Sequence, residues 1–394
     1  MLYLWVGQIV SRSGDFIFDV AFVLLVLKVT GSVFDVGLVA GVSALPNIFA
    51  PLVGVFADRT NRRTILLWSN VAQALVCSGI ALLYSSGHAP FPIVLVLLLL
   101  LNTGGVFVGT SLPAMIPRMV AKDDLAAANG LFSITGSFNQ LLFYGVGGAV
   151  VALIGYTVPI YYDALTFVFA LVTVLLVPSE VGAVLSSLDA KAAPFFTSLR
   201  EGFVYVRRNA LLFELVCVAV VVNFFLGAVG ALIAPFTVRV LGAPDSMFGF
   251  VLTALAAGAL VGATAVGKVQ IRGYVGKLTF AGIAGIGISV VFMSLVVSVP
   301  SAFASFALVG ALSSVVNIPI SVLIQAKVPN EMMGRAVGTI GACATLTVPV
   351  ASVASGGLAS VLSIAGTYEL FGTATVITAV VSFIAFCDLR DARY

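Results

Sequence analysis

The chain has 394 residues, 61% of them hydrophobic and only 9% charged, with a formal net charge of +3. Soluble domains are about 45–50% apolar and about 25% charged, so water is not the solvent for most of this surface. One histidine, His88, and four scattered cysteines, Cys77, Cys217, Cys343 and Cys387, exclude a multi-histidine site and give no CxxC for metal or disulfide chemistry.

The apolar residues recur in runs near the roughly 20 residues that cross a hydrocarbon core. A stretch such as Ile93–Leu101 (IVLVLLLLL) lacks the alternation of a barrel strand, so helices satisfy the backbone. The expected fold class is an all-α integral membrane protein with twelve transmembrane helices. They are placed at 2–27, 33–57, 64–86, 91–117, 127–154, 157–177, 210–240, 246–270, 276–298, 301–326, 334–362 and 366–387. No cleavable leader is expected. With no basic residue ahead of the first helix, a start upstream of Met1 is compatible with the sequence.

Helix 1 carries Gln8, Arg12, Asp15 and Asp19 at i, i+4, i+7 and i+11, one stripe of a helix. Arg12 lies about 16 Å along the axis from Met1, near mid-bilayer. Buried ionisable groups cost about 2.5–3.5 kcal/mol or more, so the stripe is expected to face a cavity. Asp15 or Asp19 would bind and release a proton with Arg12 as counter-charge; the alternative is a permanent salt bridge that orients the helix. After helix 2 come Gly54, Asp58, Arg59, Arg62 and Arg63. There Gly54 would allow close helix approach, Asp58 would accept from a helix N-terminus, and the arginines would hold helix ends together. A plain basic loop is the other reading.

Farther on, Asn139, Gln140 and Tyr144 in helix 5 and Asn223 in helix 7 offer hydrogen bonds to a substrate or between helices. Asp163 in helix 6 is a second proton candidate or, with Tyr161 and Tyr162, an outer-edge anchor. Glu214 is expected to snorkel to the inner surface. The 29 phenylalanines suggest an aromatic, apolar lining. Gly262–Lys268 matches G-x-x-x-x-G-K, yet Val269 replaces the magnesium-binding hydroxyl and the motif ends an apolar helix, so nucleotide binding is not expected.

The one long polar segment, Pro178–Asn209, gives three parts: a six-helix bundle at 1–177, a linker at 178–209 and a six-helix bundle at 210–394. Within the linker, Leu199, Phe203 and Val206 fall at helical spacing beside Arg200, Arg207 and Arg208, as in a helix on the inner leaflet. Sixteen of the 19 Lys and Arg, among them Arg118, Lys122, Lys191, Arg272 and Arg335, fall on one side, which places both termini in the cytoplasm. Ile116–Gly130 aligns without gaps on Ile324–Gly338. The same offset of 208 relates Gly54 to Gly262, Gly148 to Gly356 and Asp15 to Asn223. Two parallel halves of this kind would hold a substrate between them near the midplane.

Gly54-x-x-x-Asp58-Arg59-x-Asn61-Arg62-Arg63 resembles the signature loop of the major facilitator superfamily, with Asn61 in place of its second glycine and expected to take the left-handed turn. Trp5-Val-Gly7-Gln8, Ser11, Gly14-Asp15, Thr30-Gly31-Ser32, Leu112-Pro113-Ala114, Ala128-Asn129-Gly130, Val328-Pro329 and Gly334-Arg335 resemble the drug:proton antiporter branch of macrolide, tetracycline and enterobactin exporters. Tyr144-Gly145-Val146-Gly147-Gly148 lacks the proline of that superfamily's exporter motif. The resemblance implies a monomeric exporter of the cytoplasmic membrane that moves amphipathic small molecules against protons by alternating access. It implies no enzyme activity, cofactor, metal or nucleic acid. A lipid transporter or flippase, or an importer of a small polar nutrient, shares the fold and is the alternative.

Overall fold

The computed structural model describes residues 1–87, 89–178, 195–268 and 273–393, with backbone alone at Asp58, Lys122, 195–199 and Asn330. Expectations resting on His88, Lys191, Val269, Arg272, the linker stretch 179–194, or the side chains of Asp58, Lys122 and Leu199 lie outside the described residues.

Among the described residues every regular element is helical. Eleven helices are long and apolar enough to cross a membrane. α1 (Leu2–Thr30) also has the length, 29 residues, but carries Arg12, Asp15, Asp19 and Lys28. Leu153 and Val361 are 83% and 81% exposed, an apolar exterior that suits hydrocarbon and not water. The chain is a multi-pass membrane protein, consistent with the twelve-helix fold.

Proline edits three of the expected spans. The second is not continuous over 33–57, because Pro46 and Pro51 each remove a backbone donor. It divides into α2 (Val33–Ala44), a 3₁₀ turn at Leu45–Phe49 and α3 (Ala50–Arg59). After α4 (Arg62–Ser85), α5 (Phe91–Ser111) stops ahead of Pro113 and Pro117 instead of reaching 117. The expected helix 210–240 ends early: α9 (Ala210–Ala231) yields to the short α10 (Ile233–Pro235) and a π turn at Phe236–Val240.

Contacts group the chain into two units. The first holds α1, the chain from Val42, α4, α5, α6 (Leu125–Ile154) and α7 (Thr157–Leu175). In it α1 packs on α6 and α7, and α4 on α5 and α7. A Cβ at Gly14 would overlap Thr166 and the Asp163 carboxylate, so this glycine sets how closely α1 meets α7. The second unit holds Ser32–Gly41, α8 (Phe195–Arg208), α9, α11 (Ser246–Lys268), α12 (Val275–Leu295), α13 (Val299–Lys327), α14 (Asn330–Leu362), α15 (Ile364–Ala385) and α16 (Cys387–Arg390). Gly258 and Gly262, one turn apart on α11, leave no room for a Cβ against the carbonyls of Ala307 and Ala311 on α13, the small-residue packing used between membrane helices. Gly54, by contrast, has nothing within 4 Å of where a Cβ would stand. The close approach expected of it is made instead by its counterpart Gly262.

Two arginines of the basic loop reach backbone carbonyls of neighbouring elements. Arg62 Nη1 donates to Ala114 O at 2.9 Å, and Arg63 donates from Nε to Val174 O at 3.3 Å and from Nη2 to Leu175 O at 3.0 Å. Asn61 is extended, at φ −63° and ψ 112°, not left-handed. Its side chain caps α4 by accepting from Arg63 N and Thr64 N.

The amphipathic stripe on α8 splits. Val206 is buried with Leu212, Ile324 and Ala336, while Phe203 stays 53% exposed. α8 therefore uses one edge to dock on its own unit. Glu214 does not snorkel freely: its carboxylate accepts from Leu389 N at 2.7 Å and so anchors the turn α16.

Candidate functional site

Each unit encloses a cavity of its own. The first unit's measures about 430 Å³ and is lined by α1, the 3₁₀ turn, α4 and α5, with Phe167 of α7. Gln8, Ser11, Arg12 and Asp15 come from the polar stripe of α1. The proline-broken span contributes Asn47 and Ala50, so the backbone break is what carries an amide to the wall. α4 adds Asn70 and Gln73. α5 adds Asn102 and Thr110, with Gly105 and Gly109 leaving the space open.

The amides share one habit. Asn70 Nδ2 donates to Leu66 O at 2.7 Å, Asn102 Nδ2 to Leu98 O at 2.9 Å, and Asn47 Nδ2 to Ala44 O at 3.3 Å. Each thus spends one of its two amide N–H donors on its own backbone, and the carbonyl oxygen remains as an acceptor. Gln73, 5% exposed, donates to Leu101 O at 3.4 Å, and its Oε1 has no partner. With Asp15, the wall is rich in acceptors and carries one cation, Arg12. No ion pair joins Arg12 to Asp15 among the described residues. That is not the permanent salt bridge entertained for this helix.

The other predicted proton residues sit apart. Asp19 is exposed and lies outside this cavity. Asp163 is 1% exposed behind Gly14, where its carboxylate accepts from Thr166 Oγ1 at 3.2 Å and from the Cys77 thiol at 3.6 Å. It is a buried helix-packing acid in this structure, not an outer-edge anchor. Asn139 donates to Ile9 O at 3.0 Å and so ties α6 to α1. The Tyr144 ring, one turn beyond Gln140, meets Phe16 edge-on at 4.8 Å. None of these three lines the cavity.

In the second unit a cavity of about 250 Å³ is walled by aliphatic side chains such as Val218, Val222, Ile283 and Ile320, with Leu389 of α16 also on its wall. Asn223 and Asn317 line it, each donating to the carbonyl four residues earlier at 2.8 Å. No ionisable side chain lines it among the described residues. The aromatic lining expected from the phenylalanine count is absent from both walls: Phe167 is the one ring in the first cavity, and none lines the second. Phe34, Phe56, Phe138 and Phe292 are instead exposed at the surface. Sequence reasoning missed Asn47, Asn70, Gln73 and Asn102. The available signal was a set of amides inside otherwise apolar spans.

Comparison with known proteins agrees with the fold. The family model described as Major Facilitator Superfamily matches residues 4–348. Macrolide efflux protein A of Streptococcus pyogenes is 24% identical, covering 96% of this chain and 94% of its own. Multidrug efflux pump Tap of Mycolicibacterium fortuitum is 24% identical over 93% of this chain and 91% of its own. Among solved structures, the nucleoside transporter NupG superposes with a TM-score of 0.80 at 11% identity, covering 98% of each chain. A D-xylose–proton symporter superposes at 0.72 with 15% identity, covering 99% of each chain. These two likenesses speak to the fold alone.

Proposed function

Because the chain belongs to the Major Facilitator Superfamily and is a transporter, not an enzyme, we propose that it exports amphipathic small molecules bearing a protonated amine, by proton antiport with alternating access. The observation that carries this reading is the acceptor-rich cavity of the first unit. The oxygens of Asp15, Asn47, Asn70 and Asn102, with the unpartnered Oε1 of Gln73, suit an ammonium group. The similarity to macrolide and multidrug efflux proteins supports the direction of transport. In this reading Asp15 carries the coupling proton, with Asp19 and the buried Asp163 as further proton sites. Arg12 keeps a positive charge in the cavity that competes with the bound cation. The protein works as a monomer in the cytoplasmic membrane with both termini inside, and Asp58, Arg59, Arg62 and Arg63 form the gating loop.

An importer of a polar solute is the second reading, favoured by the number of amides. It is the weaker one, because the similarity to macrolide and multidrug efflux proteins favours export.

The test uses proteoliposomes under an imposed pH gradient, with dye or drug movement and internal pH followed together. Export predicts uphill movement of a hydrophobic cation with opposite proton movement, lost in Asp15→Asn. Undiminished gradient-driven transport in Asp15→Asn, Asp19→Asn and Asp163→Asn would remove the proton role from all three.

A further inference from the structure

Outside both cavities, the second unit has a strongly basic hollow of about 610 Å³ between α8 and the first turns of α14. Arg200 and Arg208 come from α8, and Met332 and Arg335 from α14. The hollow exists because Gly202 presses α8 onto α14. A Cβ there would stand 2.5 Å from Thr339 Oγ1 and 2.6 Å from Arg335 O. Val206, 4% exposed, seals the same contact from the side.

The charges are unequally satisfied. Arg335 is held by Glu201 at 2.7 Å and by Met332 Sδ at 3.7 Å. Arg200 and Arg208 are exposed and form no ion pair among the described residues. They lie eight residues apart on α8, about 12 Å along the axis, and line the same hollow as the Glu201–Arg335 pair. Three guanidiniums against one carboxylate leave a hollow that selects anions, and arginine's planar fork matches phosphate oxygens.

Position decides the source of the anion. Only Asn209 separates α8 from α9, a membrane span, and α14 is itself a span. The hollow therefore opens at the depth of lipid headgroups. Val204 lines it and Phe203 beside it is 53% exposed, so apolar surface adjoins the basic groups, as an acyl chain next to a phosphate requires.

We propose that this hollow is a binding site for the phosphate headgroup of an anionic phospholipid, held by Arg200 and Arg208, with Arg335 fixed in the same hollow by Glu201. The full-length protein would be taken from vesicles of phosphatidylcholine containing phosphatidylglycerol, and retained lipid counted by native mass spectrometry. Each arginine removed near an anionic surface is worth about fivefold in affinity, so R200Q/R208Q should retain far less phosphatidylglycerol than wild type. R207Q, which removes one charge from α8 outside the hollow, should retain more than either single variant, R200Q or R208Q. Gly202→Leu keeps every charge yet displaces α8, and should lose the lipid too. Equal retention in R200Q/R208Q, or equal losses in R207Q, would overturn the site. Displacement of the lipid by inorganic phosphate at matched concentration would overturn the assignment to a lipid.

Discussion

The two cavities occupy corresponding places in sequence and differ in chemistry. Ser11, Asp15, Gly105, Val108 and Gly109 line the first; Ala219, Asn223, Ser313, Val316 and Asn317, each 208 residues later, line the second. The repeat has thus kept which positions face the hollow, while charge has stayed in one unit. Asp15 becomes Asn223, Arg12 becomes Val220, and Asn70 and Gln73 become Leu278 and Ala281. A charged wall needs water or a ligand against it, whereas an aliphatic wall can stand dry. The difference teaches that the repeat preserves position without preserving charge.

The largest effect should come from removing the carboxylate that distinguishes the first wall. Asp15→Asn leaves Arg12 as that wall's one ionisable side chain, and transport driven by a pH gradient should fall by more than tenfold. Measured uptake that still follows the gradient would break the comparison. Filling is the next test. Gly109→Phe closes the polar cavity and should abolish transport of all substrates. Gly341→Phe, in the other wall, where nothing stands within 4 Å, should discriminate by substrate size instead. A drug panel read side by side decides it.

Adding charge should be costly where removing it was informative. Asn223→Asp places a carboxylate among Val222, Ile283 and Ile320, and should lower stability by about 2.5–3.5 kcal/mol, read by thermal unfolding in detergent. A smaller loss is expected for Glu214→Gln, which weakens the charged hydrogen bond to Leu389 N; charged hydrogen bonds are worth about 1.5–3 kcal/mol. Asp391→Asn should change almost nothing. Its pair with Arg390, at 3.1 Å, is on the surface and contributes little. Arg390 holds the Asp391 carboxyl below its ordinary range, so even that small contribution is present at neutral pH and lost only in strong acid.

Much of the fold was legible because lipid imposes long apolar runs and the repeat sets their register. The breaks were less legible. Pro46, Pro51 and Pro235 lie in windows whose hydropathy stays high, and hydropathy does not register a lost backbone donor. Gly54 and Asn61 were assigned from a motif's ordinary roles. The actual neighbours, open space for one and the start of α4 for the other, depend on tertiary packing. At the site, the α1 stripe was visible because charge is rare in a span. Asn70, Gln73 and Asn102 were not, because an isolated amide reads the same whether it faces a cavity or bonds to its own helix. Asn139 shows the converse: conspicuous in sequence, it is consumed by Ile9 O.

Leu389, fully buried on the wall of the second cavity and held through its N–H by Glu214, has a consequence for biosynthesis. It is translated after α15, the last of the apolar spans described. A ribosome that stops just beyond α15 would release a chain with those spans available for insertion, yet with that cavity missing part of its wall. Completion of this unit therefore waits for residues made after α15, whereas every side chain lining the first unit's cavity has been made by Phe167.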